Sequence, residues 1–313
     1  MNVQAPLLAR LRGGSHRPLI YGHRGARGDF PENSMEGFRY LAKIGVHAVE
    51  LDVQNASGGT PVIFHDPHVS GKIARNAQGD WLPDPGPKVL DIPLAQLQAL
   101  DIGTLQAGTA YQQNFPDQAK MSGVRIPSLD AFCEWLQEAP EFIVNVEIKS
   151  HADQVELGDP PDVLATTVIG SVQKHGLDDR VIISSFDWRV LSACKAIAPH
   201  ITRGYLSYLD RPSPPMQPNI YDGSIWMDNV PYDSATSRLP EVIHSLGGHV
   251  WAPFYQDLTK RDLDLAKTLG LIVNVWTVNT PQDIRRMIDL GVDGVITDYP
   301  ARAQSVVHAF KST

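Results

Sequence analysis

Two histidines and a pair of carboxylates lie close together near the N-terminus, each on or just after a short apolar run. The sequence reads His23-Arg24-Gly25, then Glu50-Leu51-Asp52, then His65-Asp66. Because side chains alternate along a strand, Glu50 and Asp52 share one face if their segment is a strand. Two converging carboxylates repel each other unless a cation lies between them. This spacing predicts a hard divalent metal site with a histidine on each side.

The two histidines suit proton transfer. An imidazole titrates near neutral pH, so it can accept and return a proton under physiological conditions. A histidine at the end of a strand usually has a structural role, but two of them beside a carboxylate pair favour catalysis. We therefore predict that His23 and His65 are the general acid and base, and their residue types leave open which is which.

A third carboxylate belongs to a later strand-like run, Phe142–Ile148, which contains Glu147 and is followed by Lys149. With Glu50 and Asp52, Glu147 completes a set of oxygen ligands for one divalent cation. Mg²⁺ and Ca²⁺ both prefer such ligands, and Mn²⁺ also fits them. The residue types therefore predict one bound divalent cation without selecting among these ions.

Five further side chains have candidate roles around this centre. Arg24 and Lys149 are local cations that would, with the metal, offset charge on an anionic substrate. Trp276 either forms an apolar wall beside the substrate or belongs to the core. Glu32 is either a further metal ligand or an orienting partner of Arg24, and we favour the second role. We expect Asp66 to orient the neighbouring histidine or its loop.

Apolar strand-like runs alternate with helix-like segments along the chain. Continuous apolar strands separated by helices indicate a parallel sheet that helices cover on its outer side. Eight such strands predict a TIM (β/α)8 barrel, whose usual length is about 250 residues. The active site of such a barrel lies at the carboxyl ends of the strands, where the candidate residues fall. The predicted strands begin near Leu19, Ala48, Phe142, Val181, Thr202, Val250, Leu271 and Val295.

The length beyond a minimal barrel lies after the second predicted strand. Residues from about 70 to 124 are rich in Gly, Pro, Asp and Gln and show little periodicity. We predict one barrel domain over residues 1–313, with an insertion here that lies near the active-site mouth and shapes the substrate pocket. A second irregular stretch, residues 210–229, is either a lid that contacts substrate or a packed loop.

Bulk composition excludes several classes of protein. Apolar residues make up 42% of the chain and charged residues 20%, which argues against global disorder. The net charge of −8 argues against nucleic-acid binding, which needs a basic surface. No run approaches the ~20 apolar residues of a membrane span. Residues 1–12 lack a signal-peptide pattern, so we expect a cytoplasmic location.

The chain resembles the glycerophosphodiester phosphodiesterases. The resemblance implies a TIM barrel with a small insertion after the second strand, a bound divalent cation, and hydrolysis of a glycerophosphodiester to sn-glycerol 3-phosphate and an alcohol. It also implies that Glu50, Asp52 and Glu147 bind the metal and that both histidines are catalytic. The matching motifs, in the family's order, are His23-Arg24-Gly25, Pro31-Glu32-Asn33-Ser34, Glu50-Leu51-Asp52-Val53, His65-Asp66, Arg125-Ile126-Pro127-Ser128-Leu129, Val146-Glu147-Ile148-Lys149, Ser185-Phe186, Trp276-Thr277-Val278-Asn279 and Asp293-Gly294-Val295-Ile296-Thr297-Asp298-Tyr299-Pro300.

Several alternatives stay open at this point. The nucleophile is either water or the neighbouring glycerol hydroxyl, which would give a transient cyclic phosphate. A related activity on the same barrel is that of a lysophospholipase D or a cyclising phospholipase, which would need an apolar groove for an acyl chain. A protein of a different class would bind phosphate esters without turnover, but such a protein would be expected to lose at least one of the candidate catalytic residues. The leaving alcohol and the oligomeric state are not specified by the sequence.

Overall fold

Eight parallel strands close into a barrel in this computed structural model of the protein. The structure describes residues 4–12, 17–212, 214 and 216–310, without the side chains of residues 4–6. Its strands are β1 (Leu19–Gly22), β2 (Ala48–Ala56), β3 (Thr60–Ile63), β4 (Ile143–Ile148), β5 (Val181–Ser185), β6 (Thr202–Ser207), β7 (Val250–Pro253), β8 (Ile272–Val275) and β9 (Gly294–Thr297). They are ordered β1-β9-β8-β7-β6-β5-β4-β2, and pairing of β1 with β2 closes the ring.

The predicted TIM barrel is therefore confirmed, and a barrel strand lies at each predicted position. The strand β3 is an addition to the ring, because it pairs antiparallel with the end of β2. This pairing extends β2 to Ala56, beyond the stretch that its apolar pattern predicts. The strand β8 is shorter than predicted, since it ends at Val275 and leaves Trp276 outside the regular ladder.

Helices follow most of the strands and cover the barrel. The helix after β1, Met35–Lys43, shows how the sequence sets its bounds. Oγ of Ser34 accepts from the backbone N–H of Gly37 and caps the start of this helix, and Gly45, at φ +73°, follows its end. The helices are α1 (Gln4–Leu11), α2 (Met35–Lys43), α3 (Leu94–Leu97), α4 (Ala110–Asn114), α5 (Leu129–Leu136), α6 (Pro161–Lys174), α7 (Trp188–Ile197), α8 (Leu239–Ser245), α9 (Lys260–Thr268), α10 (Pro281–Leu290) and α11 (Pro300–Ala309).

Two apolar clusters stabilise the barrel. The larger cluster lies between the outer faces of the strands and the helices, and it includes Val49, Val144 and Ile183. The smaller cluster combines Leu7 and Leu11 of α1 with side chains that face the barrel interior near the strand starts. The helix α1 thus closes the amino-terminal end of the barrel. This leaves the carboxyl end for chemistry, as is usual in this architecture.

The predicted insertion forms a small unit between β3 and α5. It contains α3, α4 and a 3₁₀ turn at Val89–Asp91, and it has an apolar cluster of its own. This cluster includes Val62 and Phe64 from the β3 side together with Ile102 and Phe115 of the insertion. The low periodicity of the sequence here reflects short elements that are stabilised by a local core.

Parts of two predictions lie outside the described residues. The domain prediction over residues 1–313 and the reading of residues 1–12 both include positions that the structure does not describe, among them residues 1–3. Within the described part of the chain, no helix is both long enough and apolar enough to cross a bilayer.

Candidate active site

Three buried carboxylates converge at the carboxyl end of the barrel. Glu50 and Asp52 lie on β2 and Glu147 lies on β4, with Asp52 and Glu147 directly opposite each other in the strand register. One oxygen from each of the three lies within 4.8 Å of the others. Alternation along the two parallel strands thus produces the shared face that the sequence predicts.

The oxygens of this group are partly held and partly free. Oε2 of Glu50 accepts from the backbone N–H of Arg24 at 2.9 Å, and Oδ2 of Asp52 accepts from Asn33 Nδ2 at 2.9 Å. Oε1 of Glu50 and Oδ1 of Asp52 are buried without a hydrogen-bond partner. Buried anionic oxygens without partners are costly, and a hard cation between them removes that cost. The residues present therefore fit one divalent cation.

The charge state of the group follows from burial and from neighbouring charges. Burial, with repulsion from Asp52 and Glu147, raises the pKa of Glu50 well above its usual range. Burial also acts to raise the pKa of Asp52, but the interactions with the neighbouring His65, Arg24 and Lys149 outweigh it and hold that pKa well below its ordinary value. Like charges at this distance cannot all ionise freely without a cation.

The loop after β1 places Arg24 over the carboxylates. Its guanidinium is buried, with Nη1 at 2.9 Å from Glu32 Oε1 and Nε at 3.3 Å from Asp52 Oδ2. Glu32 therefore lies against Arg24, in the place expected of an orienting partner. Arg24 and Asn33 both adopt left-handed backbone, with φ of 49° and 51°, and Asn33 N–H donates to the Arg24 carbonyl at 2.9 Å. Such backbone is uncommon outside glycine, and this hydrogen bond helps to hold it.

His23 lies between the first strand and a buried acid from the end of the chain. Its Nδ1 is 2.6 Å from Oδ1 of Asp298, and its Nε2 is 3.8 Å from Oε2 of Glu50. Asp298 also accepts from Arg27 Nε at 2.8 Å and from Asn279 Nδ2 at 2.6 Å. A carboxylate at Nδ1 selects the tautomer with the proton on that nitrogen, which leaves Nε2 as the acceptor.

His65 follows β3 and lines the same cavity from the other side. Its Nδ1 is 2.5 Å from Oδ1 of Asp66, the next residue, so Asp66 lies where an orienting partner is expected. Burial, with the nearby charges of Arg24 and Lys149, lowers the pKa of His65. Burial and the charge of Arg27 likewise lower the pKa of His23 to about 4. Both imidazoles are therefore neutral at neutral pH in the absence of a ligand.

Lys149 is the second local cation. Its Nζ lies 2.5 Å from Glu147 Oε1 and 3.5 Å from Asp52 Oδ1. Because Lys149 is two residues after Glu147, both point to the same face at the strand end. The ammonium also lies 5.9 Å from the centre of the Phe186 ring. Arg24 and Lys149 thus flank the carboxylates from two sides.

These side chains line a cavity of about 450 Å³ at the rim of the barrel. Trp276 forms part of its wall, with Nε1 donating to the Ala252 carbonyl at 2.8 Å and its ring perpendicular to that of Phe186. The wall between β5 and β7 combines apolar side chains with the polar Gln217 and Asn219, and the stretch 210–229 supplies part of it. The apolar residues of that wall are Phe186, Leu206, Met216 and Trp226.

The predicted role of the insertion in shaping this cavity is wrong. Within the described part of the chain, the cavity wall has no residue from 70–124, whereas Met216, Gln217, Asn219 and Trp226 belong to it. The insertion instead packs behind the loop after β1, because its apolar cluster is built on the β2–β3 hairpin beside that loop.

Sequence reasoning missed four residues that hold the predicted ones: Arg27, Asn33, Asn279 and Asp298. Three of these, Asn33, Asn279 and Asp298, lie within the motifs quoted above. Their positions indicate proximity to the rim but do not show which side chain each one contacts. Asp298 directly follows the last strand, and that place was its available signal, because the strand ends of a barrel meet at one rim.

Sequence comparison decides the family. The profile of the glycerophosphoryl diester phosphodiesterase family matches residues 23–302, a range that contains every side chain of the site. The chain belongs to the glycerophosphoryl diester phosphodiesterase family. It is thus an enzyme of the phosphoric diester hydrolase class, and the resemblance of its motifs is confirmed.

Relatives of this chain include proteins named as glycerophosphodiester phosphodiesterases and proteins named as lysophospholipases D. A glycerophosphodiester phosphodiesterase from Caldanaerobacter subterraneus subsp. tengcongensis is 29% identical over 284 residues, covering 91% of this chain and 95% of the relative. A lysophospholipase D from Homo sapiens is 23% identical over 307 residues, covering 93% of this chain and 86% of the relative.

Solved structures of the family superpose over nearly the whole chain. A protein from Silicibacter pomeroyi that bears the family's name matches with a TM-score of 0.86 and 35% identity, covering 98% of both chains. An Oleispira antarctica phosphodiesterase in complex with the product sn-glycerol 3-phosphate matches with a TM-score of 0.68 and 23% identity, covering 93% of this chain and 97% of that one. The barrel is thus shared with these two proteins.

Proposed function

We propose that this enzyme hydrolyses glycerophosphodiesters to sn-glycerol 3-phosphate and an alcohol, with one divalent cation and two histidines. One observation carries the proposal: three carboxylates, two of them with an unpaired oxygen, converge beside two histidines in a single cavity. Membership of the family and a neighbour's complex with sn-glycerol 3-phosphate support the same reaction.

Glu50, Asp52 and Glu147 are the residues that would hold the cation, because their oxygens lie closest together and two of these are unpaired. When bound, such a cation supplies Lewis-acid polarisation of a phosphate oxygen. Mg²⁺, Ca²⁺ and Mn²⁺ all accept three carboxylates, so a metal titration has to distinguish them.

His23 and His65 transfer the protons. In each, a carboxylate engages Nδ1, so Nε2 is the atom that exchanges a proton with the substrate. One histidine takes the proton of the nucleophile at Nε2. The other gives a proton from Nε2 to the leaving alcohol, so it enters the step as imidazolium, a form that the negative charge of the bound phosphodiester favours. A diester that lacks the neighbouring glycerol hydroxyl separates the two nucleophiles, because undiminished cleavage of it excludes attack by that hydroxyl.

Arg24 and Lys149 bind the phosphodiester and offset the charge that develops on its non-bridging oxygens. Arg24 is buried and Lys149 is partly buried, and Glu32 and Glu147 already hold these cations in place, so little reorganisation accompanies binding. Trp276 supplies an apolar wall for the glycerol moiety. Glu32 and Asp66 are supporting residues, since each lies against a side chain that would contact substrate.

The experiment is a release assay for sn-glycerol 3-phosphate. Enzyme stripped with EDTA is supplied with Mg²⁺, Ca²⁺ or Mn²⁺ and given diesters of choline, ethanolamine, inositol and glycerol, and Glu50→Gln is the matched variant. We expect release that depends on the cation and is lost in Glu50→Gln. Release that persists in EDTA would refute the metal-dependent reaction, and no release from any diester would refute the substrate class.

A second candidate function is cleavage of lysophospholipids, as the name of the human relative says of that protein. The apolar wall formed by Phe186, Leu206, Met216 and Trp226 favours it, because an acyl chain needs such a surface. Comparing lysophosphatidylcholine with glycerophosphocholine in the same assay decides between them. A faster rate on the lysolipid would make this the principal activity.

A further inference from the structure

The insertion contacts the loop after β1 on the side that faces away from the cavity. The loop after β1, which carries Arg24 and Arg27, has one side on the cavity and the other on the segment 111–119 of the insertion. On that second side, Gln118 Nε2 donates to the Arg27 carbonyl at 2.8 Å, and Ala119 N–H donates to the Asp29 carbonyl at 2.9 Å. The segment is therefore hydrogen-bonded to the backbone of the loop.

One line of contacts runs from the insertion to the phosphate-binding arginine. The hydroxyl of Tyr111, on α4, donates to Oε2 of Glu32. The other oxygen of Glu32 accepts from Arg24 Nη1 at 2.9 Å. Glu32 is buried, so its carboxylate depends on these two partners for its position. Tyr111 thus fixes the oxygen that Arg24 does not use.

A second line runs from the insertion to the catalytic histidine. The guanidinium of Arg27 lies 4.6 Å from the centre of the Phe115 ring. Arg27 also binds Asp298 through Nε at 2.8 Å, and Asp298 binds Nδ1 of His23 at 2.6 Å. Phe115 belongs to the apolar cluster of the insertion, so its position is set by that core.

The insertion is itself anchored to the strand that carries the metal ligands. Its apolar cluster includes Ala56 at the end of β2 and Val62 on β3, and β2 also contains Glu50 and Asp52. Two separate parts of the site are therefore tied together through the insertion: the loop after β1 and the carboxylate-bearing strand.

We propose that Tyr111 and Phe115 are positioning residues, and that the insertion sets the places of Arg24 and His23 relative to the carboxylates. This inference rests on the proposed function, because it takes Arg24 as the phosphate ligand and His23 as a catalytic group. It assigns the insertion a role in catalysis although the insertion does not line the cavity.

The first test is Tyr111→Phe, which removes the hydroxyl and keeps the ring in the insertion. With Glu32 less well held, Arg24 binds phosphate less well, so we expect KM and the Kd of sn-glycerol 3-phosphate to rise together by about 3- to 10-fold. The value of kcat stays near that of the wild type. Gln113→Ala, an exposed change on the same helix, is the control and alters neither constant.

The second test is Phe115→Leu, which keeps an apolar side chain in the insertion core but removes the ring beneath Arg27. Because this line leads to His23, we expect kcat to fall by about 3- to 10-fold while the Kd of sn-glycerol 3-phosphate changes little. Thermal unfolding of every variant is measured beside the kinetics, so that a loss of folded protein is recognised.

The outcomes distinguish a failure of the positioning role of the insertion from a failure of the proposed reaction. An unchanged Kd and KM in Tyr111→Phe would overturn the positioning role. The same holds if both variants lose kcat together with thermal stability while KM stays constant, because a general loss of stability would then explain the kinetics. Titration with sn-glycerol 3-phosphate needs no turnover, so it tests the insertion even in an enzyme that cleaves none of the diesters. Wild-type protein that binds this probe but releases it from no diester would instead sink the proposed reaction.

Discussion

The two histidines of the active site are held in different ways. His23 donates to Asp298, an acid that is 1% exposed and is itself held by Arg27 and Asn279. Every group in this network is fixed by at least one further partner, and the members come from both ends of the chain. The orientation of the His23 ring is therefore determined by the folded barrel.

His65 has a simpler environment. Its carboxylate partner is the next residue in the chain, Asp66, whose side chain is 54% exposed. A pair of this kind is local and solvated, so it contributes little to orientation. Two histidines with the same proposed chemistry therefore differ in how firmly the protein holds their rings. We expect substitutions of their carboxylate partners to lower kcat by different factors.

The largest difference is expected at Asp298. In Asp298→Asn, an amide replaces the carboxylate that selects the tautomer of His23, so we expect kcat to fall by about 100-fold or more with KM little changed. Steady-state kinetics with saturating cation measure it, and circular dichroism checks the fold. A fall in kcat of less than about threefold would show that the hydrogen bond between Asp298 and His23 is not needed for catalysis.

Asn279→Ala tests the outer part of the same network. It removes the donor to Oδ2 of Asp298 and the acceptor for the Asp298 N–H, while Arg27 stays in place. One net hydrogen bond is worth roughly a factor of ten, so we expect kcat to fall by about 10-fold. An effect equal to that of Asp298→Asn would mean that Asn279, and not Arg27, fixes the acid.

Asp66→Asn is the matched change on the other side of the cavity. Because Asp66 is exposed and has no buried support, we expect kcat to fall by only about threefold. The same assay as for Asp298→Asn gives the ratio of the two effects. Equal losses in the two variants would break the comparison between the histidines.

Most of the fold could be predicted because it depends on local patterns. Apolar runs alternating with capped helices give the eight strands and their order, and the rim rule then places Glu50, Asp52 and Glu147 together. The length of β8 could not be predicted, because the run from Leu271 to Val278 is strand-like along its whole length, with only Asn274 and Thr277 polar. Nothing local shows that Trp276 leaves the ladder for the cavity wall.

The partners of the site residues depend on contacts between distant parts of the chain. Asp298 is 275 residues from His23, and only closure of the barrel by β1 and β9 brings them together. The insertion shows the same limit: its composition indicates a separate unit, but the direction in which α4 packs is decided by the small core around Phe115.

A third histidine, away from the site, tests how the titration of a partly buried imidazole affects stability. His249 accepts from the Arg203 N–H through Nδ1 at 3.1 Å, and burial together with Arg203 and Lys195 lowers its pKa to about 4. The unfolded chain takes up this proton near pH 6.5, so His249 contributes stability above that pH that is lost as the pH falls toward 4. Neutral His249 is thus a stabilising group.

His249→Asn keeps an acceptor at this place and removes the titration. Between about pH 7.5 and pH 5 we expect the wild type to lose up to about 2 kcal/mol more unfolding free energy than the variant. Urea unfolding at the two pH values measures the difference. Equal losses in both proteins would show that the imidazole is not buried as a neutral group.

The most direct test of the proposed reaction compares His23→Ala and His65→Ala with the wild type on the diester that the wild type cleaves fastest. Release of sn-glycerol 3-phosphate is followed at saturating cation, and calorimetry checks that each variant still binds the cation. If both histidines transfer protons, kcat falls by at least about 100-fold in each variant with cation affinity unchanged. Either variant retaining more than about a tenth of the wild-type kcat would contradict acid–base catalysis by the pair.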